Sequence, residues 1–233
     1  MIEATRFEVE SDLLEGRWLL PDRPPPLPLV IVPSLVAGLD WTGASTRNPG
    51  FRPWWMMGLA LQKAGVAAFL SQAPEGADRV GAASEAAWFR ATNHHLVSRS
   101  RRALLAAGGD ACERLLGLVA SLGAHQQPMG LILVAPELPL EVPETAADLR
   151  LHILATGSED DPAGEAARLR SRGYAVTAER LAGLDPDLCD ARIPQTPVRM
   201  PHRRLGSAVA GIALMLLRPR WEQAVRPAGT AIG

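Results

Sequence analysis

Cysteine is scarce in this chain: Cys112 and Cys189 are the only two in 233 residues, far apart and in no metal-ligand spacing. That excludes a disulfide framework and a thiolate metal site, and free thiols in a reducing compartment are expected. Lysine is scarcer still, with Lys63 alone, so nearly every cationic side chain is arginine. Net charge is −1 and no basic stretch is interleaved with aromatics, which argues against a nucleic-acid partner. Apolar runs are short: the longest, residues 208–217, falls well below the roughly 18–20 residues a spanning helix needs. The N-terminal MIEATRFEVE has no apolar signal core. A soluble, cytoplasmic protein is therefore expected, with peripheral membrane contact left open. There is no internal repeat and no sign of a second-domain boundary. Residues 1–218 are expected to form one domain, large enough to bury a sizeable core, followed by a tail over 219–233.

What is present is an alternation of apolar strands and amphipathic helices. Residues 6–10 and 17–20 read as an antiparallel hairpin around a turn at Glu15–Gly16. A proline-rich link over 21–28 excludes a helix or central strand there. Apolar runs at 27–32, 66–70 and 129–135, and the largely apolar 149–156, read as strands buried in a parallel sheet, and 176–181 reads as a last strand. Between them lie helical patterns at 53–64, 84–100, 113–122 and 161–172, and a last apolar helix at 205–217. The fold class is α/β: a three-layer sandwich, mostly parallel and twisted, with helices on both faces and an antiparallel hairpin at its N-terminal edge.

Residues 101–123 organise the rest. They read as a short strand at 103–107, a sharp turn at 108–112 and an amphipathic helix, although 103–107 is also made of good helix formers. A strand turning abruptly into a helix exposes one side chain beside unpaired backbone N–H groups. In order along the chain, PLVIVPS, GVAAFLSQAP, LLAAGGDAC, GLILVAPELP, LHILATGSEDDP and HRRLGSAVAGIALMLL resemble the successive elements of a compact, lidless α/β-hydrolase. The resemblance places LLAAGGDAC at the nucleophile elbow and ATGSEDDP at the acid loop. The family's G-x-S-x-G occurs nowhere, and the position expected for its serine falls on Asp110.

The resemblance implies two functions. In one, the catalytic site is degenerate and the protein is a pseudoenzyme that binds a small apolar ligand or a protein partner. In the other it is an active hydrolase of the dehalogenase, epoxide-hydrolase or esterase kind, with Asp110 as nucleophile, Asp160 as acid and His202 as base. The backbone N–H groups of Leu35 and Ala111 would then hold an oxyanion. Each residue also has a plain structural reading. Asp110 and Glu113 form a capping-box-like pattern at a helix start. Ser158, Asp160 or Asp161 can cap the helix that follows, with Pro162 in its first turn. His202 can be a solvent-facing member of the cluster His202–Arg203–Arg204. Ser34 shapes the loop after its strand. The dense group Trp41, Phe51, Trp54, Trp55, Met56 and Met57 follows the same strand, and Ser34, Trp41, Trp54, Trp55 and Met57 are the candidate ligand contacts. His94 and His95 are adjacent on a helix and diverge, so no metal site is expected, and no cofactor.

Overall fold

The computed structural model describes residues 1–10, 12–156, 161–192 and 199–218. The tail over 219–233 lies outside them. Eight strands form one sheet in the order β1-β2-β4-β3-β5-β6-β7-β8. They are β1 Ile2–Val9, β2 Asp12–Leu19, β3 Leu27–Val32, β4 Ala67–Ser71, β5 Val97–Ala107, β6 Gly130–Val134, β7 Arg150–Ala155 and β8 Ala175–Arg180. β3 to β8 are parallel; β1 and β2 form the antiparallel edge. β4 and β6 are buried end to end, β3 and β7 at all but one residue, and β5 throughout its apolar run 103–107, as strands covered on both faces require.

Five helices cover the sheet: α1 Pro53–Lys63, α2 Val80–Thr92, α3 Gly109–Ser121, α4 Pro162–Ser171 and α5 Leu205–Leu216. Their buried residues fall into two clusters. α1 and α5 share one with Leu19, Val30 and Leu105, while α2, α3 and α4 share the other with Phe69, Leu104 and Ile153. These are the two outer layers of the sandwich.

Three sequence expectations are corrected. The hairpin turns after Val9, not at Glu15–Gly16, because Gly16 pairs with both Thr5 and Ser71 in mid-strand. Glycine is required there by packing: a Cβ on Gly16 would stand 2.6 Å from the Phe69 ring. The second helix ends at Thr92 rather than near 100, and the chain from Val97 is already β5. The helix-forming composition of 103–107 gives way to a strand because the segment is laddered between β3 and β6. Finally, α3 starts at Gly109, and its N-cap is Gly108, not Asp110.

The sheet order positions the site. From β3 the chain crosses by α1 to β4 on one side, and from β5 it crosses by α3 to β6 on the other. Connections that diverge in this way leave a crevice beyond the carboxyl ends of the two strands. The segments entering that crevice begin at Pro33 and Gly108.

Candidate functional site

At the end of β5 the chain reverses through Gly108, at φ 97° and ψ 152°. A side chain at that φ is disfavoured, so glycine is the residue that makes this turn without strain. The space beside it is empty, with nothing within 4 Å of where a Cβ would stand. The apex of the strand–helix turn thus falls on Gly108, two residues before Asp110. Asp110 occupies the first turn of α3, exposed, and makes no capping hydrogen bond. The Gly108–Gly109 doublet was the signal in the sequence that could have placed the apex.

Two pockets flank this turn and share Pro186 as a common wall. One, of about 520 Å³, is bounded by Gly109, Asp110, Pro136, Glu137 and Thr156. Asp110 and Glu137 are both exposed on it, and among the described residues no cationic one lines it. The other, of about 250 Å³, is bounded by Val36, Leu39, Phe51, Trp54, Ala107 and Leu188, with Arg199 and Asp187 paired at 3.0 Å. Its walls come from the loop after β3, the start of α1 and the loop after β8.

The predicted ligand contacts divide accordingly. Trp54 lines the smaller pocket and is 5% exposed, and its buried indole N–H has no hydrogen-bond partner among the described residues. Met57, three residues on, lies fully buried against the sheet and is core. Trp41 and Trp55 meet edge to face at 5.5 Å, with the Arg17 guanidinium 5.0 Å over the Trp41 ring; neither lines the pocket. Ser34 is buried, its backbone N–H donating to Ser71 Oγ at 3.2 Å and its own hydroxyl unpartnered. Leu35 is buried too, and its carbonyl accepts from Arg114 Nη1 at 3.1 Å. Ala111 sits inside the first turn of α3, where its N–H is one of those left free by helix geometry.

His202 is neither solvent-facing nor on either pocket. It is fully buried. Its Nδ1 accepts from the Arg204 N–H at 3.2 Å, and its Nε2 lies 3.6 Å from Asp190 Oδ2 and 3.4 Å from Arg192 Nη2. Arg192 binds both Asp190 oxygens at 2.7 Å and holds that carboxyl well below the usual carboxylate range. His202 N–H also donates to the Leu188 carbonyl at 2.8 Å. This cluster ties together the loop that carries Pro186–Leu188 to both pockets. The sequence showed no sign of Asp190 as the partner. Asp160 lies outside the described residues. Its neighbour Asp161 caps α4, accepting from the Gly164 N–H at 3.0 Å, with Pro162 behind it.

The segment that continues from the larger pocket's wall at 136–138 is held from α4. Glu165 accepts from the Leu140 N–H at 2.7 Å and pairs with Arg168, which donates to the Leu140 carbonyl at 2.6 Å. Among the described residues no three His, Cys, Asp or Glu side chains are grouped as metal ligands. His94 and His95 stack on one another beside Trp18 instead.

The sequence matches no family model and no curated protein. Solved structures do match. Esterase Est22 with p-nitrophenol superposes with a TM-score of 0.66 at 12% identity, over 94% of this chain and 81% of that one. An arylesterase gives 0.63 at 10%, over 93% and 84%. A putative alpha/beta hydrolase of unknown function from Agrobacterium tumefaciens gives 0.63 at 14%, over 97% and 100%. At such identities the likeness is one of fold, and the fold is that of the α/β-hydrolases.

Proposed function

We propose that this chain uses the α/β-hydrolase fold for binding rather than hydrolysis, and takes a small, largely apolar ligand in the crevice at the carboxyl ends of β3 and β5. One observation carries the reading: the apex of the strand–helix turn, where a nucleophile would project, is Gly108 and has no side chain. Two others support it. The histidine available in the last loop is buried in a pair with Asp190. The pocket beside the turn is walled by Val36, Leu39, Phe51, Trp54 and Leu188, with the Asp187–Arg199 pair beside them, and suits a small, largely apolar molecule.

The competing reading, hydrolysis through Asp110, draws on the exposure of that carboxylate on the larger pocket. It requires a water-activating base within hydrogen-bonding reach, and His202 would have to leave Asp190 to serve.

The test uses p-nitrophenol as probe and p-nitrophenyl esters, haloalkanes and epoxides as substrates. Saturable quenching of tryptophan fluorescence by p-nitrophenol is expected, abolished in Val36→Glu, which places a charge in the apolar pocket. No turnover and no covalent adduct are expected. Turnover that disappears in Asp110→Asn, or an adduct mapped to Asp110 by mass spectrometry, would establish the hydrolase instead.

A further inference from the structure

Charge is distributed very unevenly along this nearly neutral chain. Residues 41–74 and 191–221 together hold nine Arg or Lys and no Asp or Glu, while the remainder holds fifteen against twenty-five. These two stretches contain α1 and α5, which pack side by side on one face of the sheet. They approach closely at Gly206, where a Cβ would stand 3.1 Å from both the Met56 carbonyl oxygen and the Ala60 Cβ.

The outer surface of this helix pair is apolar. On α5 the exposed positions are Ser207, Gly211, Leu214 and Met215, at the spacing of one helical stripe. Leu214 is 41% and Met215 38% exposed. The half-buried Trp55, Met56 and Leu59 belong to the neighbouring α1. Cations stand at both ends of α5, Arg203 and Arg204 before it and Arg218 after it, and Lys63 closes α1; all four are exposed. Among the described residues none of them has a carboxylate partner, although ion pairs are frequent elsewhere in the molecule.

We propose that the α1–α5 face docks reversibly on an anionic lipid bilayer surface, an activity separate from ligand binding in the crevice. An apolar stripe on a helix about 18 Å long, lying parallel to its support and bracketed by cations with no carboxylate partner among the described residues, is the arrangement of an interfacial helix. Leu214, Met215 and Trp55 would enter the headgroup–acyl boundary, and the cations would meet lipid phosphates. A lipid surface fits better than an acidic protein because the centre of the stripe offers, apart from Ser207, no side chain able to hydrogen-bond a specific partner.

The test is co-sedimentation of the full chain with phosphatidylcholine vesicles, with and without phosphatidylglycerol. Binding is expected only with the anionic lipid. It should fall steeply as salt is raised from about 0.1 M to about 1 M, where the Debye length shrinks from about 10 to about 3 Å. Arg203→Gln and Arg204→Gln should each weaken binding about fivefold, the worth of one cation near such a surface. The double variant Leu214→Asp/Met215→Asp, at exposed positions and so able to fold, should abolish it while leaving p-nitrophenol quenching intact. Equal binding to neutral vesicles, or binding indifferent to the double variant, overturns the proposal. So does absence of vesicle binding accompanied either by a dimer that the double variant dissociates or by salt-sensitive capture of a polyglutamate peptide.

Discussion

Among single residues, His152 shows how placement overrides chemistry. It sits on β7 at a position opposite Thr177, with Nδ1 2.8 Å from the Thr177 hydroxyl and Nε2 unpartnered, 3.8 Å from Glu179 Oε1. Burial pushes its pKa down from 6.5 to about 4, and Glu179 stands too far off to reverse this. The folded state therefore resists a proton that the unfolded chain accepts, so stability is unaffected above about pH 6.5 and falls as pH drops toward 4. The full effect is on the order of 3 kcal/mol. Urea melts between pH 7 and pH 4 should show this loss, and His152→Gln should remove a corresponding part of the slope; an unchanged slope would show that His152 does not stay neutral. Gly108 makes the opposite case, a residue defined by what it lacks. Gly108→Ala should fold, since the space is open, yet cost about 1–2 kcal/mol for a side chain at φ 97°. A chemical denaturation midpoint equal to wild type would mean the turn relaxes to another geometry.

At the level of elements, the crevice walls are loops pinned from outside. Glu165 on α4 holds the segment after β6 through the Leu140 N–H, and the hydrogen-bonded Arg168 guanidinium keeps its carboxyl below the ordinary pKa. Because that shift is downward, its contribution is present at neutral pH and disappears as pH falls through the lowered value. Glu165→Ala leaves the buried Leu140 N–H without an acceptor and should cost about 1–3 kcal/mol. Hydrogen exchange should rise first across 136–142, whose first three residues wall the larger pocket, before it rises in β6. Uniform acceleration over the whole chain would instead mean that Glu165 supports global stability alone. The loop after β8 is held by the same logic from the other side, with Asp190, Arg192 and His202 as the anchor.

For the whole molecule, the hairpin β1–β2 is an extension of the sheet. Trp18 on β2 is nearly fully buried and packs on Phe69 of β4 at 4.7 Å between ring centroids, inside the same cluster as Trp88 and Leu104. Hairpin and parallel core should therefore unfold together. Trp18→Ala should cost about 3–5 kcal/mol and still give one transition, coincident by fluorescence and circular dichroism. Separated transitions would make the hairpin an independent unit. No helix among the described residues is long and apolar enough to cross a membrane, so any bilayer contact has to be made at a surface, and the α1–α5 face is the surface whose charge and apolarity match one.

The periodicity of the sequence was enough to determine the layered α/β architecture, the parallel core strands and a helix start near Pro162, because each rests on local pattern; which of Ser158, Asp160 and Asp161 caps that helix was left open, and the structure shows Asp161 doing so. Strand ends and side-chain partners were beyond it. Gly16 looks like a turn residue until Phe69 is placed over it, and residues 97–102 look helical until β3 stands beside them. Asp110 looks like a helix cap until the reversal at Gly108 fixes where the helix begins. His202 sits in a run of cations that reads as surface, and only the fold of 181–192 around it brings in Asp190 and removes it from water. Such features depend on contacts between residues distant in sequence, whose energies exceed local preference, and so the placement of these side chains was decided by tertiary structure while the scaffold was legible in pattern.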